Sequence, residues 1–230
     1  MSQAPRDDLK TRLLDAAALH VPFDGWSETT FEAAVAECDV DPVVAHALFP
    51  RGAVDLAVAF HKQGDSLMSA QLAAQDLSEM KIREKITHAV RVRLEICPDR
   101  EVVRRGSTLF ALPKYAPTGA ELIWGTADAI WTAIGDTSED VNWYTKRATL
   151  SGVYGATVLY WLGDDSEGHE ATWAFLDRRI ENVMQFEKVK AQMRNGPLGK
   201  LMSGPLQAMG RIRAPSPMRD MPGQWRRPNT

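Results

Sequence analysis

Residues 13–60 read LLDAAALHVPFDGWSETTFEAAVAECDVDPVVAHALFPRGAVDLAVAF, and the punctuation of this stretch decides the fold. Leu9, Leu13, Ala16 or Ala17 and His20 recur every three or four residues, the spacing of one helical face. Gly25-Trp26 marks a turn. Ser27 then stands where an N-cap belongs, and Phe31, Val35 and Cys38 share one face of the helix it opens. The short run DPVVAHALF stops at Pro50, and a further helix begins near Ala53. The predicted order is a helix, a helix-turn-helix and a connecting helix.

The helical period continues along the chain. SEMKIREKITHAVRVRLEIC is amphipathic and ends at Pro98, and REVVRRGSTLFAL is a shorter element. Residues 118–136, 141–164 and 170–193 are three long helical candidates. No alternating β pattern persists between turn signals. The expectation is an all-α chain of about nine or ten helices. It divides into a head at 1–65, a helical domain at 66–193 and a tail at 194–230.

Composition narrows the function. Apolar residues make up 44% of 230, enough for a sizeable core, and the net charge of −3 exerts no global attraction on nucleic acid. The two cysteines, Cys38 and Cys97, form no CxxC pair, which fits a reducing compartment. No apolar run approaches the roughly 18 residues of a membrane span, and the start lacks a signal-peptide core. The expected setting is cytoplasmic, with peripheral membrane binding open.

The first seventy or so residues resemble the amino-terminal unit of TetR-type regulators. The shared landmarks are LLDAA, the Gly25-Trp26 turn, ALF before Pro50, and the helix near Ala53. A DNA reader needs cationic or amide groups on its second and third helices. Between Ser27 and Phe49 the chain instead has Glu28, Glu32, Glu37, Asp39 and Asp41, and neither Lys nor Arg. The short third helix, DPVVAHALF, offers only His46 and acids. Nucleic acid is therefore not an expected partner. A TetR-type regulator answering to a small apolar ligand is the alternative reading.

Catalytic signatures are missing. None of the five histidines has Asp or Glu three residues before it, and there is no HExxH, GxSxG or GxGxxG. Glu84 and His88 lie one helical turn apart, a commonplace pair on a solvated face. GPLGK at 196–200 has too few residues between its glycines for a P-loop, and Leu201 follows its lysine. Asp164-Asp165 sits in a turn and reads as the cap of the next helix. No enzyme activity, cofactor or metal is expected.

Residues 141–164 read VNWYTKRATLSGVYGATVLYWLGD. Asp140 or Asn142 caps a helix on which Trp143, Arg147, Leu150, Tyr154, Val158 and Trp161 form one stripe. Ala148, Gly152 and Ala156 form another, with Ser151 and Gly155 beside it. Glycine inside a helix costs up to about 1 kcal/mol relative to alanine, so this pair needs a reason. Tight helix packing and a groove for an apolar chain both supply one. The preceding helix adds Trp124, Ile130, Trp131 and Ile134, and the following one Trp173, Leu176, Ile180 and Met184. Such walls suit a lipid-like ligand or a dry core.

NWYTKRATLSGVYGATVLYWLGDDS, followed by ATWAFLDRRIENV, closely resembles the family of the ninth coenzyme Q biosynthesis protein. The likeness runs from about Leu9 to Met193 and is strongest from Trp143 to Val183. It implies a TetR-like fold and a homodimer without DNA-binding activity. It also implies that the apolar walls bind an isoprenoid lipid, ubiquinone or a precursor, and present it to a ring hydroxylase. Trp143 and Tyr144, with Arg147 one turn on, map to the family's hydroxylase-docking patch.

The tail carries seven Lys or Arg and one Asp from Arg194 onward. The family's carboxy-terminal amphipathic helix engages the membrane. Here Leu198, Leu201, Met202, Leu206 and Met209 recur at three to five residues, with Arg211 and Arg213 supplying charge. Gly199, Gly204, Pro205 and Gly210 weaken any helix there, so the expectation is disorder in solution and folding on lipid at the inner membrane.

Overall fold

The computed structural model describes residues 3–195. Nine α-helices and one 3-10 turn occur among them, and no strand. The helices are α1 (Gln3–Asp24), α2 (Glu28–Glu37), α3 (Pro42–Leu48), α4 (Ala53–Ala73), α5 (Ile82–Glu95), α6 (Arg100–Ala111), α7 (Ala116–Ala133), α8 (Val141–Leu162) and α9 (Glu170–Asn195), with the 3-10 turn Glu167–His169 before α9. The all-α expectation holds.

Local chemistry sets the helix starts. Ser27 Oγ accepts the Thr30 amide at 3.3 Å, and the Thr30 hydroxyl donates to the Gly25 carbonyl at 2.6 Å. That hydroxyl bond fixes the turn through Gly25, whose φ of +69° suits glycine. Asp41 accepts the Val43 amide at the head of α3, and Asp140 the Asn142 amide at the head of α8. Asp164 accepts both the amide and the hydroxyl of Thr172, at 2.9 and 2.6 Å, and so caps α9 across the 3-10 turn. Each such cap is worth about 1 kcal/mol.

Two apolar cores form. Leu13, Ala17, Val21, Phe31, Ala34 and Leu56 close the first, between α1, α2 and the start of α4. Met68, Leu72, Val90, Ile130, Leu150 and Leu176 close the second, between α4, α5, α7, α8 and α9. Helix α4 crosses residue 65 without a break and contributes to both. Helix α6 gives Val102 to the first core and packs on α7 where Gly119 approaches the Phe110 backbone.

That approach is close. A Cβ at Gly119 would meet Phe110 Cβ at 2.8 Å and its carbonyl at 3.4 Å. At Gly152, and likewise at Gly125, an added Cβ meets nothing within 4 Å. Gly119→Ala is expected to destabilise by about 1–3 kcal/mol despite better helix propensity. Gly152→Ala is expected to stabilise the isolated chain by about 0.5–1 kcal/mol. Denaturant melts of the two variants check both signs.

Candidate functional site

The two cores leave a cavity of about 390 Å³ where they meet. Its wall comes from both halves of the chain. Trp26 from the α1–α2 turn, Phe60 from α4, and Val102 and Phe110 from α6 face Leu122 and Ile123 of α7 and Val158 and Trp161 of α8. Trp26 is fixed by donating Nε1–H to the Val102 carbonyl at 3.3 Å and by a tilted contact with Phe60 at 5.6 Å. Gly155 of α8 faces α7, where an added Cβ would stand at ordinary contact distance, 3.7 Å, from Ile123 Cδ1. The cavity opens between α6, α7 and α8, past exposed Ala111, Ala116 and Ala120 and past Leu159, which is 68% exposed.

The polar side chains of His61, Arg93, Ser107 and Tyr154 and the Cys97 thiol also line it. Arg93 is buried and donates Nε–H to Asp65 Oδ1 at 2.7 Å and a terminal N–H to the His61 carbonyl at 3.0 Å. Its guanidinium lies on Gly64, where a Cβ would come within 2.7 Å of it. The Thr126 hydroxyl donates to Asp65 at 2.9 Å, and His61 Nε2 stands 2.8 Å from the same hydroxyl. With Thr126's one proton committed to a carboxylate, His61 donates from Nε2. Burial, then the Arg93 charge, lower His61 to about 4, so it is neutral at pH 7. Burial pushes the Tyr154 phenol up, so it keeps its proton.

An aromatic patch lies further toward the start of α8. Trp143 packs against Trp124 of α7 at 6.0 Å and edge-on against Tyr144 at 4.8 Å. Arg147 lies under it, 4.0 Å from the Trp143 ring centre and 3% exposed. Its Nε donates to Asp128 at 2.5 Å, and a terminal nitrogen to Asp136 at 3.1 Å and to the Trp143 carbonyl at 3.2 Å. Lys146 donates to Asp136 and Ser138 at 2.7 and 2.6 Å. Burial alone would raise the Asp136 carboxyl, but the hydrogen bonds from Lys146, Ser138 and Arg147 hold it below the usual carboxylate range. Arg147 thus supports the patch from beneath and offers no surface contact of its own.

The chain is 32% identical over 195 residues to the mitochondrial ubiquinone biosynthesis protein COQ9 of Drosophila melanogaster, covering 83% of this chain and 60% of that protein. The COQ9 protein of Xenopus tropicalis is 33% identical over 186 residues, covering 77% and 58%. The human one is 28% identical over 197 residues, covering 82% and 62%. The family model described as COQ9 matches residues 116–187. The chain is similar to the COQ9 family over most of its length. It spans about 60% of the length of these relatives. A TetR transcriptional regulator from Nitrosomonas europaea ATCC 19718 superposes with a TM-score of 0.62 at 20% identity, covering 76% of this chain and 97% of that one, which establishes the TetR-like fold.

The COQ9 match covers α7, α8 and part of α9, so the Trp26, Phe60 and Phe110 side of the cavity lies outside it. The structure distributes the twelve expected wall residues. Tyr154, Val158 and Trp161 line the cavity. Trp131, Leu150, Ile180 and Met184 line a separate groove of about 280 Å³ between α5, α8 and α9. Ile134 borders a smaller recess with Trp131. Ile130 and Leu176 are wholly enclosed in the core, and Trp173 packs on it beneath Arg91. Trp124 belongs to the aromatic patch. Leu198, Leu201, Met202, Leu206, Met209, Arg211 and Arg213 lie outside the described residues. Sequence reasoning missed His61 and Arg93, although Ile86, Ala89, Val90 and Arg93 share one helical face, and a charge on an apolar stripe is a legible signal.

Among the described residues no group of three His, Cys, Asp or Glu is placed to hold a metal ion. No single helix there is long and apolar enough to cross a membrane.

His61 generates a pH prediction. Unfolded, it takes a proton near pH 6.5; folded, it refuses one until about pH 4. Between those values the unfolded state binds more protons, so stability falls as pH is lowered from 6.5 toward 4. His61→Gln is expected to flatten that slope, as measured by denaturant melts across the window.

Proposed function

We propose that this chain is a non-catalytic accessory protein of ubiquinone biosynthesis. It takes an isoprenoid quinone precursor into the cavity between its two cores, at the surface of the inner membrane, and presents it to a ring hydroxylase. It acts as a homodimer and makes no bond itself. The observation that carries the reading is the cavity, apolar along most of its wall and open at one side. Apolar wall is what a prenyl chain requires to leave a membrane, since each buried CH₂ recovers about 0.8 kcal/mol. The chain's relatives in fly, frog and human are mitochondrial ubiquinone biosynthesis proteins, which supports the choice of pathway.

The Trp124–Trp143–Tyr144 patch supports the docking step. Its rings are held by the Arg147–Asp128–Asp136 clamp, so binding requires little ordering. Tyr144 and Tyr154 are separated by ten residues of one helix, about 15 Å, so α8 links docking site and cavity directly. The open faces of Gly125 and Gly152 support close approach by a second chain. Membrane contact is assigned to the segment from Leu198 to Arg213, by its sequence.

A regulator reading draws on the TetR-like fold. It is opposed by the acidic α2 and by α3, which exposes Val43, Val44 and Asp41 where a DNA reader needs cations.

Trp143→Ala is expected to weaken binding to the ring hydroxylase by about 2 kcal/mol, roughly 30-fold, with the melting temperature little changed. Interferometry with the immobilised hydroxylase measures it, and unchanged affinity removes the patch from the proposal. Removing residues 196–230 is expected to abolish sedimentation with anionic liposomes. Full retention of liposome binding removes the membrane role of the tail.

A further inference from the structure

The cavity rim is apolar where it meets solvent, and the turn that forms it carries a cation without a counterion. We propose that the turn between α6 and α7, with Leu159 of α8 across the opening, is a membrane lip that seats the cavity mouth on the headgroup layer of an anionic bilayer. This deepens the membrane step of the function proposed above and rests on it. The tail makes one membrane contact and the lip a second.

Three observations carry it. The first is a bare apolar rim. Turns between helices run over the surface and favour Gly, Asn, Asp and Ser. This one reads ALPKYAP at 111–117. Leu112 is 50% exposed, and Pro113, Ala116 and Pro117 are exposed beside it. Leu159, 68% exposed, stands on α8. Ala111, Ala116 and Leu159 also line the cavity, so apolar surface runs unbroken from the outside of the turn into the hollow. An exposed leucine by itself is ordinary, but a contiguous set around one opening marks a contact surface.

The second is charge. The whole chain is acidic, with a net charge of −3, yet residues 102–120 include Arg104, Arg105 and Lys114 and no Asp or Glu. Arg104 and Arg105 both turn back to Glu101, at 2.9 and 3.1 Å. Among the described residues Lys114 enters no ion pair, and its Nζ lies 5.1 Å from the centre of the Tyr115 ring. A lysine beside a half-buried tyrosine at an apolar edge is the pairing of a membrane interface, where the ammonium meets phosphates and the ring lies at headgroup depth. A bilayer also supplies hydrocarbon just below that layer for Leu112 and Leu159. A prenyl chain drawn through a mouth held there keeps out of water on its way.

The third is a fixed shape. The Leu112 carbonyl accepts the Tyr115 and Ala116 amides at 2.8 and 2.9 Å, and the Leu112 amide donates to the Leu109 carbonyl at 3.2 Å. Pro113 and Pro117 restrict the backbone on either side of Lys114. The close packing of Gly119 on Phe110 holds α7 to α6. Leu112 and Lys114 are thus presented with little left to order on binding.

The test is co-sedimentation of the full chain, at low ionic strength, with phosphatidylcholine vesicles that do or do not contain phosphatidylglycerol. Lys114→Glu is expected to weaken binding about tenfold on the anionic vesicles and to change nothing on pure phosphatidylcholine. Leu112→Ser is expected to weaken binding about threefold on both. Val43→Ser, which removes an exposed apolar group of α3 far along the chain, is expected to bind as the parent does. Neither Leu112 nor Lys114 lines the cavity, so both variants are expected to take up a decyl-tailed benzoquinone from solution as the parent does. Parent-like vesicle binding by both lip variants, or an equal loss in Val43→Ser, overturns the lip and leaves the tail as the membrane contact. Loss of hydroxylase binding with vesicle binding intact makes the rim a protein interface and overturns it too. A parent chain that binds neither kind of vesicle overturns the lip together with the membrane step it rests on.

Discussion

A guanidinium buried in an apolar bundle is the constraint around which this structure is organised. Arg93 of α5 has a side chain only 7% exposed, and an unpaired charge at that depth costs several kcal/mol. Every neighbour answers to that. Asp65 of α4 supplies the countercharge, the His61 carbonyl accepts a second bond, and Gly64 clears the space for the group to lie flat. Thr126 of α7 then binds both Asp65 and His61, and Tyr154 of α8 completes the cluster. Four helices are tied at one point. The point lies on α4, the helix shared by both cores, and it forms part of the wall of the cavity between them.

The cavity lies beside this cluster. Large apolar groups from α6 and from the α1–α2 turn share the cavity wall with His61, Arg93 and Tyr154 of the cluster. The TetR-like fold supplies the layout, a small helical head joined to a larger bundle by one connecting helix. Glu28, Glu32 and Glu37 make α2 acidic, and α3 has neither Lys nor Arg, so both lack the cations that a DNA reader needs there.

Much of the fold was legible in sequence because helices announce themselves through period and caps. Ser27, Asp140 or Asn142, and the Asp164-Asp165 pair read as caps, and Ser27, Asp140 and Asp164 are the ones that accept helix-start amides. The apolar period of α8 was also readable. Its division was not. Tyr154, Val158 and Trp161 face the cavity, while Leu150 faces a different groove and Ile130 of α7 sits in closed core. Periodicity gives the face of a helix, not what lies opposite. The other half of the cavity, with Trp26, Phe60 and Phe110, comes from segments far apart in sequence, and no local pattern joins them. Gly152 shows the same limit: both readings of the small-residue stripe supposed a neighbour, and within one chain the face is open. Arg147 read as a surface contact by its spacing from Trp143, whereas two aspartates, one of them on α7, draw it underneath.

The central claim is that the cavity holds an isoprenoid ring. Mass spectrometry of an organic extract of the purified full chain tests it most directly. A quinone or quinone precursor at about one per chain, lost in Tyr154→Trp where the added bulk fills part of the cavity, is the predicted result. A stoichiometric fatty acid or phospholipid in its place, or an extract free of lipid, contradicts it.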